Sequence, residues 1–298
     1  MNITAYIRSL STLRVLFVKG GISVLIIKIC INILFCLSLL LISSGLMASE
    51  STTSLSESNH SIRVAVASNF APTLKVISQR FEKLTGHKVV LVPGSTGKHY
   101  AQIRNGAPFA LFFAADSVRP ERLEQEKRIV PGSRFTYASG KLVLWSPENH
   151  AALNPEQLQP EHLTYLSIAN PRLAPYGKAA KEVLDHIQLW DKLKGRIVMG
   201  ENIAQAYHFV SSGNAQLGFV AWSQVLQRNG QDKGSYWHPP SGSYSPIQQQ
   251  VVLLQADPVA RQFLDYVRSS DIRQLIASRG YLMPDMLANH LSQPLYHQ

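Results

Sequence analysis

From Ile62 onward the chain alternates short β-prone runs with helical stretches, and it runs through that alternation twice. Ile62-Arg63-Val64-Ala65-Val66-Ala67 reads as a strand and stops at Ser68-Asn69-Phe70-Ala71-Pro72. A helix follows, with Leu74, Ile77, Phe81 and Leu84 placed on one face, and Gly86 is a good helix stop. Lys88–Val92 is a second strand, Pro93-Gly94-Ser95-Thr96-Gly97 a turn, Tyr100 to Asn105 a helical stretch, and Ala110–Ala114 a third strand with Asp116 after it. Strand, helix, strand, helix, strand predicts a parallel sheet with helices on both faces. The pattern restarts after Gly140, with strands at Lys141–Trp145, Leu166–Ala169, Arg196–Met199 and Leu217–Ala221 and helices at Lys178–His186 and Ile203–Ser211. A turn-rich region from Tyr236 to Pro246 leads to Val251–Leu254 and closing helices over 257–279. Two such sets in one chain predict an α/β fold of two lobes. No internal repeat is visible.

The first 48 residues are of another kind. They carry Arg8, Arg14, Lys19 and Lys28 and no acid, and from Ile29 to Ala48 they carry no charge. A basic stretch, an apolar stretch and then Ser43, Ser44, Gly45 and Ala48 make a secretory signal pattern over 1–48, with cleavage after Ala48. The competing reading is an uncleaved anchor, because about 20 apolar residues can span a bilayer. Both cysteines, Cys30 and Cys36, lie here, and neither follows a small residue, which argues against a lipid-anchored cysteine. Residues 49–61 are serine-rich and read as a flexible leader. Removing the four basic residues of the signal lowers the formal charge from +10 to +6, 25 basic against 19 acidic residues, and leaves no cysteine. That suits an exported protein in an oxidising compartment. Without a basic stripe interleaved with aromatics, no nucleic-acid partner is expected.

Ligands of open parallel sheets bind beyond the carboxyl ends of the strands. Three such ends carry hydroxyls, amides or glycine: Ser68-Asn69, Gly94-Ser95-Thr96-Gly97, and Asn170 with the loop through Tyr176-Gly177. Glu201-Asn202-Ile203 opens a further helix. Helix starts present unpaired N–H groups and the positive end of the dipole, which favours an anion without a counter-charge. Any one of these segments alone reads as an ordinary helix cap; four at corresponding ends favour binding. Sharper motifs fail. A P-loop needs glycine where Val92 stands and Ser or Thr where His99 stands, so Lys98 reads as a solvated helix residue. There is no HExxH, no GxSxG and no thiol after the signal, so no metal site or nucleophile is expected. His99, His186 and His208 read as surface or partly buried helix residues, Asp116 as a cap or loop anchor, and most tryptophans as core.

An ordered series of segments carries a family resemblance: VAVASNF (64–70), FEKLTGHKV (81–89), GSTGKHYAQIRNGAPF (94–109), FFAAD (112–116), GKLVLW (140–145), IANPRLAPYGKAAKEVL (168–184), ENIAQAYHFVSSGNAQLGFV (201–220) and YSPI (244–247). In this series the chain resembles the periplasmic molybdate-binding proteins of ABC transporters over about residues 62–280. The resemblance implies a two-lobed periplasmic-binding-protein clamp, each lobe a mostly parallel sheet flanked by helices. One lobe would comprise 62–139 plus 244–298 and the other 140–243. It implies an exported, periplasmic, monomeric, non-enzymatic protein that holds molybdate or tungstate and docks on a membrane permease. No cofactor is implied, and no metal is coordinated directly by the protein. By position, the first-loop donors fall on Ser68 and Asn69, the second-loop donor on Thr96 with Ser95 beside it, the third on Tyr176 and a helix-start N–H on Ile203. The best-known branch has alanine at the Tyr176 position and tyrosine at that of Ala221; here the two are exchanged, as in a second branch. Leu111 departs from the family, which often has an acid there; the change bears on local packing more than on binding.

None of the six mapped residues is charged near neutral pH. Neutral donors can still satisfy a dianion, because hydrogen bonds to a charged acceptor are roughly twice as strong as neutral ones. A smaller anion such as sulfate would leave donors unpaired, at about 1–3 kcal/mol each. Other readings stay open on the sequence: a sulfate, phosphate or organic-anion binder, an exported hydrolase or transferase using Asp116, and a tethered sensor that keeps 29–48.

Overall fold

The computed structural model describes residues 60–148, 153–228 and 233–284; the signal segment and almost all of the leader lie outside the described residues. The first sheet holds β1 (Ser61–Ala67), β2 (Lys88–Gly94), β3 (Leu111–Phe113), β4 (Phe135–Gly140) and β10 (Ile247–Leu253), ordered β2-β1-β3-β10-β4. The second holds β5 (Leu142–Ser146), β6 (Leu166–Ala169), β7 (Ile197–Gly200), β8 (Leu217–Ala221) and β9 (Ser235–Trp237), ordered β7-β6-β8-β5-β9. In the first, β1 pairs in parallel with β2 and β3, while β10 is antiparallel to β3 and β4. In the second, β6 pairs in parallel with β7 and β8, while β5 is antiparallel to β8 and β9.

Each sheet is mostly parallel, as the resemblance implies, with one strand running against the other four. The cause is connectivity. The chain leaves the first sheet at Gly140 and enters the second at Leu142 with only Lys141 between, and it returns to the first sheet at Ile247. The strand that arrives by each crossing, β5 or β10, is the reversed one.

The helices are α1 (Ala71–Thr85), α2 (Thr96–Arg104), α3 (Val118–Gln125), α4 (Pro175–His186), α5 (Trp190–Leu193), α6 (Ile203–Ser211), α7 (Trp222–Leu226), α8 (Pro258–Arg268) and α9 (Ser270–Ser278). Both sheets are covered on both faces, which is why their strands read as nearly continuous apolar runs. Along β1, Val64 and Val66 point into a cluster with Phe70, Phe81 and Phe263, and Ala65 points to the opposite cluster with Ile103, Phe112 and Leu123. Along β5, Leu142 and Leu144 join Phe219, Val183 and Leu184, while Val143 and Trp145 join Val210 and Val220.

Helix α1 ends where glycine predicts: Gly86 takes φ 77°, and its N–H donates to the Glu82 carbonyl. Leu84 was expected on the buried face but is 71% exposed. Ten residues at about 100° each carry it about 80° round from Leu74, to the rim of that face in the last turn. Among the described residues no helix is long and apolar enough to cross a membrane.

Candidate ligand-binding site

Four helices begin just past the carboxyl ends of strands: α1 after β1, α2 after β2, α4 after β6 and α6 after β7. Their leading segments meet in one pocket whose lining includes Ser68, Asn69, Ser95, Thr96, Tyr176 and Ile203. All six residues singled out in the sequence are thus brought together, and none is more than 7% exposed. The enclosed space is about 10 Å³. An adjoining hollow of about 460 Å³ is much larger, but charged groups line it: Asp116, Arg119, Arg122, Lys178 and Glu182. Tyr176 lies in the first turn of α4, because that helix starts at Pro175 rather than Lys178. Proline suits this first helical position, where the missing N–H breaks no bond.

The hydroxyls of this pocket share one arrangement. Ser68 Oγ accepts from the Ala204 N–H at 3.3 Å, Ser95 Oγ from the Lys98 N–H at 3.3 Å, and Thr96 Oγ1 from the Ala115 N–H at 3.0 Å. Tyr176 Oη accepts from Gln249 Nε2 at 3.3 Å. A hydroxyl that accepts still has its own proton to donate. Burial pushes the Tyr176 phenol well above its ordinary range, so it remains a donor. On α6, Asn202 Oδ1 accepts from the N–H groups of Ala204 and Gln205. This cap serves the second and third helical positions and leaves the first, Ile203, to whatever enters the pocket. Asn69 differs from the others: its Nδ2 is engaged by Gln249 Oε1 at 2.9 Å and Tyr281 Oη at 3.4 Å, and its buried Oδ1 has no partner.

The pocket is closed over by contacts between the lobes. The Gly97 N–H donates to the Leu173 carbonyl at 2.8 Å, and Arg119 Nη2 to the Arg172 carbonyl at 3.0 Å. Lys98 Nζ lies 3.1 Å from Glu201 Oε1. Lys98 is therefore not simply solvated: half-exposed at the start of α2, it reaches the other lobe.

The remaining candidates stand apart. Asp116 caps α3, accepting from the Arg119 N–H, and pairs with the Arg119 guanidinium; burial raises its carboxyl despite that pairing. His186 and His208 are exposed. His99 is buried, against the expectation of a surface or partly buried residue, because α2 starts at Thr96 and turns this position inward against Phe109 and Phe112. Burial lowers its pKa. The ring fills the place of a side chain at Gly94, where an added Cβ would lie 2.7 Å from Nε2. Among the described residues no group of three or more His, Cys, Asp or Glu is placed to hold a metal ion. Leu111 is fully buried in the first sheet, an apolar packing position. Tyr176 and Ala221, the exchanged pair, lie in the same core cluster. Trp145 stacks on Tyr207 in the core, whereas Trp222 groups with Tyr236 and His238.

Sequence reasoning missed Gln249 and Gly140. Gln249, on β10, bridges Asn69 and Tyr176. At Gly140 an added Cβ would lie 2.0 Å from Tyr176 Oη. The available signal was weak: three consecutive glutamines (248–250) entering a strand whose remainder is apolar.

Two lobes of like topology, closed over a small pocket of uncharged donors, define a solute-binding clamp. Residues 62–282 match the bacterial extracellular solute-binding protein family. The chain is 46% identical over 224 residues to the molybdate-binding protein ModA of Azotobacter vinelandii, covering 74% of this chain and 89% of that protein. It is 41% identical over 221 residues to ModA of Rhodobacter capsulatus, with 73% and 86% covered. The solved structure of the Azotobacter vinelandii periplasmic molybdate-binding protein superposes with a TM-score of 0.71 at 42% identity, covering 75% of this chain and 99% of that one. The chain belongs to the bacterial extracellular solute-binding proteins and, among them, to the molybdate-binding family.

Proposed function

We propose that this protein captures molybdate, or the similarly sized tungstate, between its lobes and delivers it to the permease of an ABC transporter. The observation that carries the reading is the convergence of four helix starts with Ser68, Ser95, Thr96, Tyr176 and the Ile203 N–H in one buried pocket without a charged side chain. Helix N-termini favour an anion, and each hydrogen bond to a charged acceptor contributes about 1.5–3 kcal/mol. Five donors of this kind suffice for a tight complex. Relatives that carry the name of molybdate-binding proteins support the identity of the anion.

In this reading the lobes are residues 62–139 with 244–298 and residues 140–243, and they part about the crossings at Lys141 and 238–246. Asn69 joins the site by holding its first loop. The protein acts as an exported monomer in the periplasm, without cofactor or catalysis, and its permease recognises the closed form. Titration calorimetry with molybdate, tungstate and sulfate tests the proposal. Strong heats with the two metal oxyanions and weak or absent heat with sulfate are expected. Tight sulfate binding without a molybdate signal would overturn it.

A further inference from the structure

We propose that Gln249 is the positioning residue of this site: it fixes the Tyr176 hydroxyl as a donor to the bound anion and ties it, across the lobes, to the loop of Asn69. The proposal rests on the anion-binding reading above.

Gln249 lies on β10 in the first sheet and is wholly buried, although it is absent from the pocket lining. A buried amide is costly unless its hydrogen bonds are made. Here both ends are used. Oε1 accepts from Asn69 Nδ2 at 2.9 Å and from Tyr137 Oη at 2.9 Å, and Nε2 donates to Tyr176 Oη at 3.3 Å. Tyr137 has one proton and also lies 3.1 Å from the Ala114 carbonyl, so the Asn69 N–H is the donor that sets the orientation of the amide. The other end must then present N–H to Tyr176. A phenol oxygen that accepts from Gln249 cannot also send its single proton back along the same line, so the proton is directed to the remaining side, toward the pocket.

The approach is close, and Gly140 permits it: an added Cβ there would lie 2.0 Å from Tyr176 Oη and 2.8 Å from Gln249 Nε2. On the far side, Tyr281 Oη donates to the Asn69 carbonyl at 2.8 Å and holds the first loop. Burial keeps the phenols in protonated form, with Tyr281 pushed up to about 12 and Tyr137 and Tyr176 well above the usual value. Because β10 belongs to the first sheet and α4 packs on the second, the Gln249–Tyr176 bond joins the two sides of the closed pocket. Gln249 thus links donor direction to closure.

The test is a double-mutant cycle on the exported protein, read by calorimetry with molybdate and with sulfate. Gln249→Met should weaken binding about tenfold, the equivalent of losing one oriented hydrogen bond. In a Tyr176→Phe background the same substitution should weaken it by less than about threefold, because the group it acts through has gone. Gln249→Glu guards against a folding defect, since it keeps the shape and the acceptor for Asn69 and Tyr137. Its carboxylate would take the Tyr176 proton and repel a dianion unless it bound a proton first. Affinity of Gln249→Glu should therefore rise as pH falls from 8 to 6, by up to about tenfold per unit, while the parent protein stays flat. Equal losses in both backgrounds, or a flat pH profile for Gln249→Glu, would overturn the assignment. Failure of the unsubstituted protein to bind molybdate while it binds sulfate would instead overturn the proposed ligand, and the cycle would then be read with sulfate.

Discussion

The two sheets solve the same problem in parallel but contribute different chemistry. In each, the strand second from one edge, β1 or β6, is tied at its carboxyl end to that edge strand, β2 or β7: the Ser68 N–H donates to the Gly94 carbonyl at 2.9 Å, and the Asn170 N–H to the Gly200 carbonyl at 2.7 Å. Each edge strand ends on glycine, because the next helix packs where a side chain would be. An added Cβ would lie 2.7 Å from His99 Nε2 at Gly94 and 2.7 Å from the Ala206 nitrogen at Gly200. After that shared turn they diverge. The first sheet offers side-chain hydroxyls, from Ser68, Ser95 and Thr96. The second offers a phenol from the first turn of α4 and the bare N–H of Ile203 at the start of α6. A repeated scaffold fixes where helix starts point; the residues on each start decide what is donated.

The comparison can be broken most severely at Ile203. Proline at the first helical position is compatible with the helix, and Asn202 before it is already extended at φ −143° and ψ 174°. Ile203→Pro removes one N–H and places ring carbon in the pocket, so oxyanion affinity should fall at least about a hundredfold, about 3 kcal/mol, with helix content retained by circular dichroism. An unchanged dissociation constant would show that the second lobe gives no backbone donor.

On the first lobe, Thr96→Val should cost about 1–3 kcal/mol of binding and a similar amount of stability, because the Ala115 N–H also loses its acceptor. Calorimetry and thermal melts should fall together. A loss of stability alone would place Thr96 in the scaffold only.

Tyr176→Phe should weaken binding by about 1–3 kcal/mol. The unsubstituted protein should show flat affinity between pH 7 and 9. Deprotonation of Tyr176 would remove a donor and add a negative charge, so affinity falls as pH rises through the folded pKa, and burial holds that value well above 10. A decline already at pH 8 would contradict the neutral-donor account.

The smallest effect belongs to the lobe-to-lobe ion pair. Lys98 and Glu201 are both partly exposed, so Lys98→Met should change affinity by about 0.2–1 kcal/mol and make it less sensitive to salt. A larger loss would mean that the lysine meets the anion itself.

Strands buried on both faces left a plain signal, and β6, β8 and α6 lie where the apolar runs place them. Helix α3, VRPERLEQ, was missed because only Pro120 and Leu123 of its residues are buried, too short a stripe to show a period. Strand β4 was missed because Thr136 and Ser139 interrupt its apolar pattern. The candidate site was legible where it follows strand ends: Ser68 and Ser95 lie just past strands, and Thr96 and Ile203 open the helices that this composition announces. The loop through Tyr176 was legible as a strand end, but its role as a donor came from resemblance. Gln249 could not be read at all, because its role depends on a pairing with residues 180 and 73 positions away, and no local pattern encodes that.

In the proposed complex an oxyanion is held between the lobes by uncharged donors alone. A crystal structure with molybdate bound would show this. The anion is expected within hydrogen-bonding distance of Ser68, Thr96, Tyr176 and the Ile203 nitrogen, with no lysine or arginine in contact. An anion seated instead in the neighbouring hollow on Arg119, Arg122 or Lys178 would contradict it.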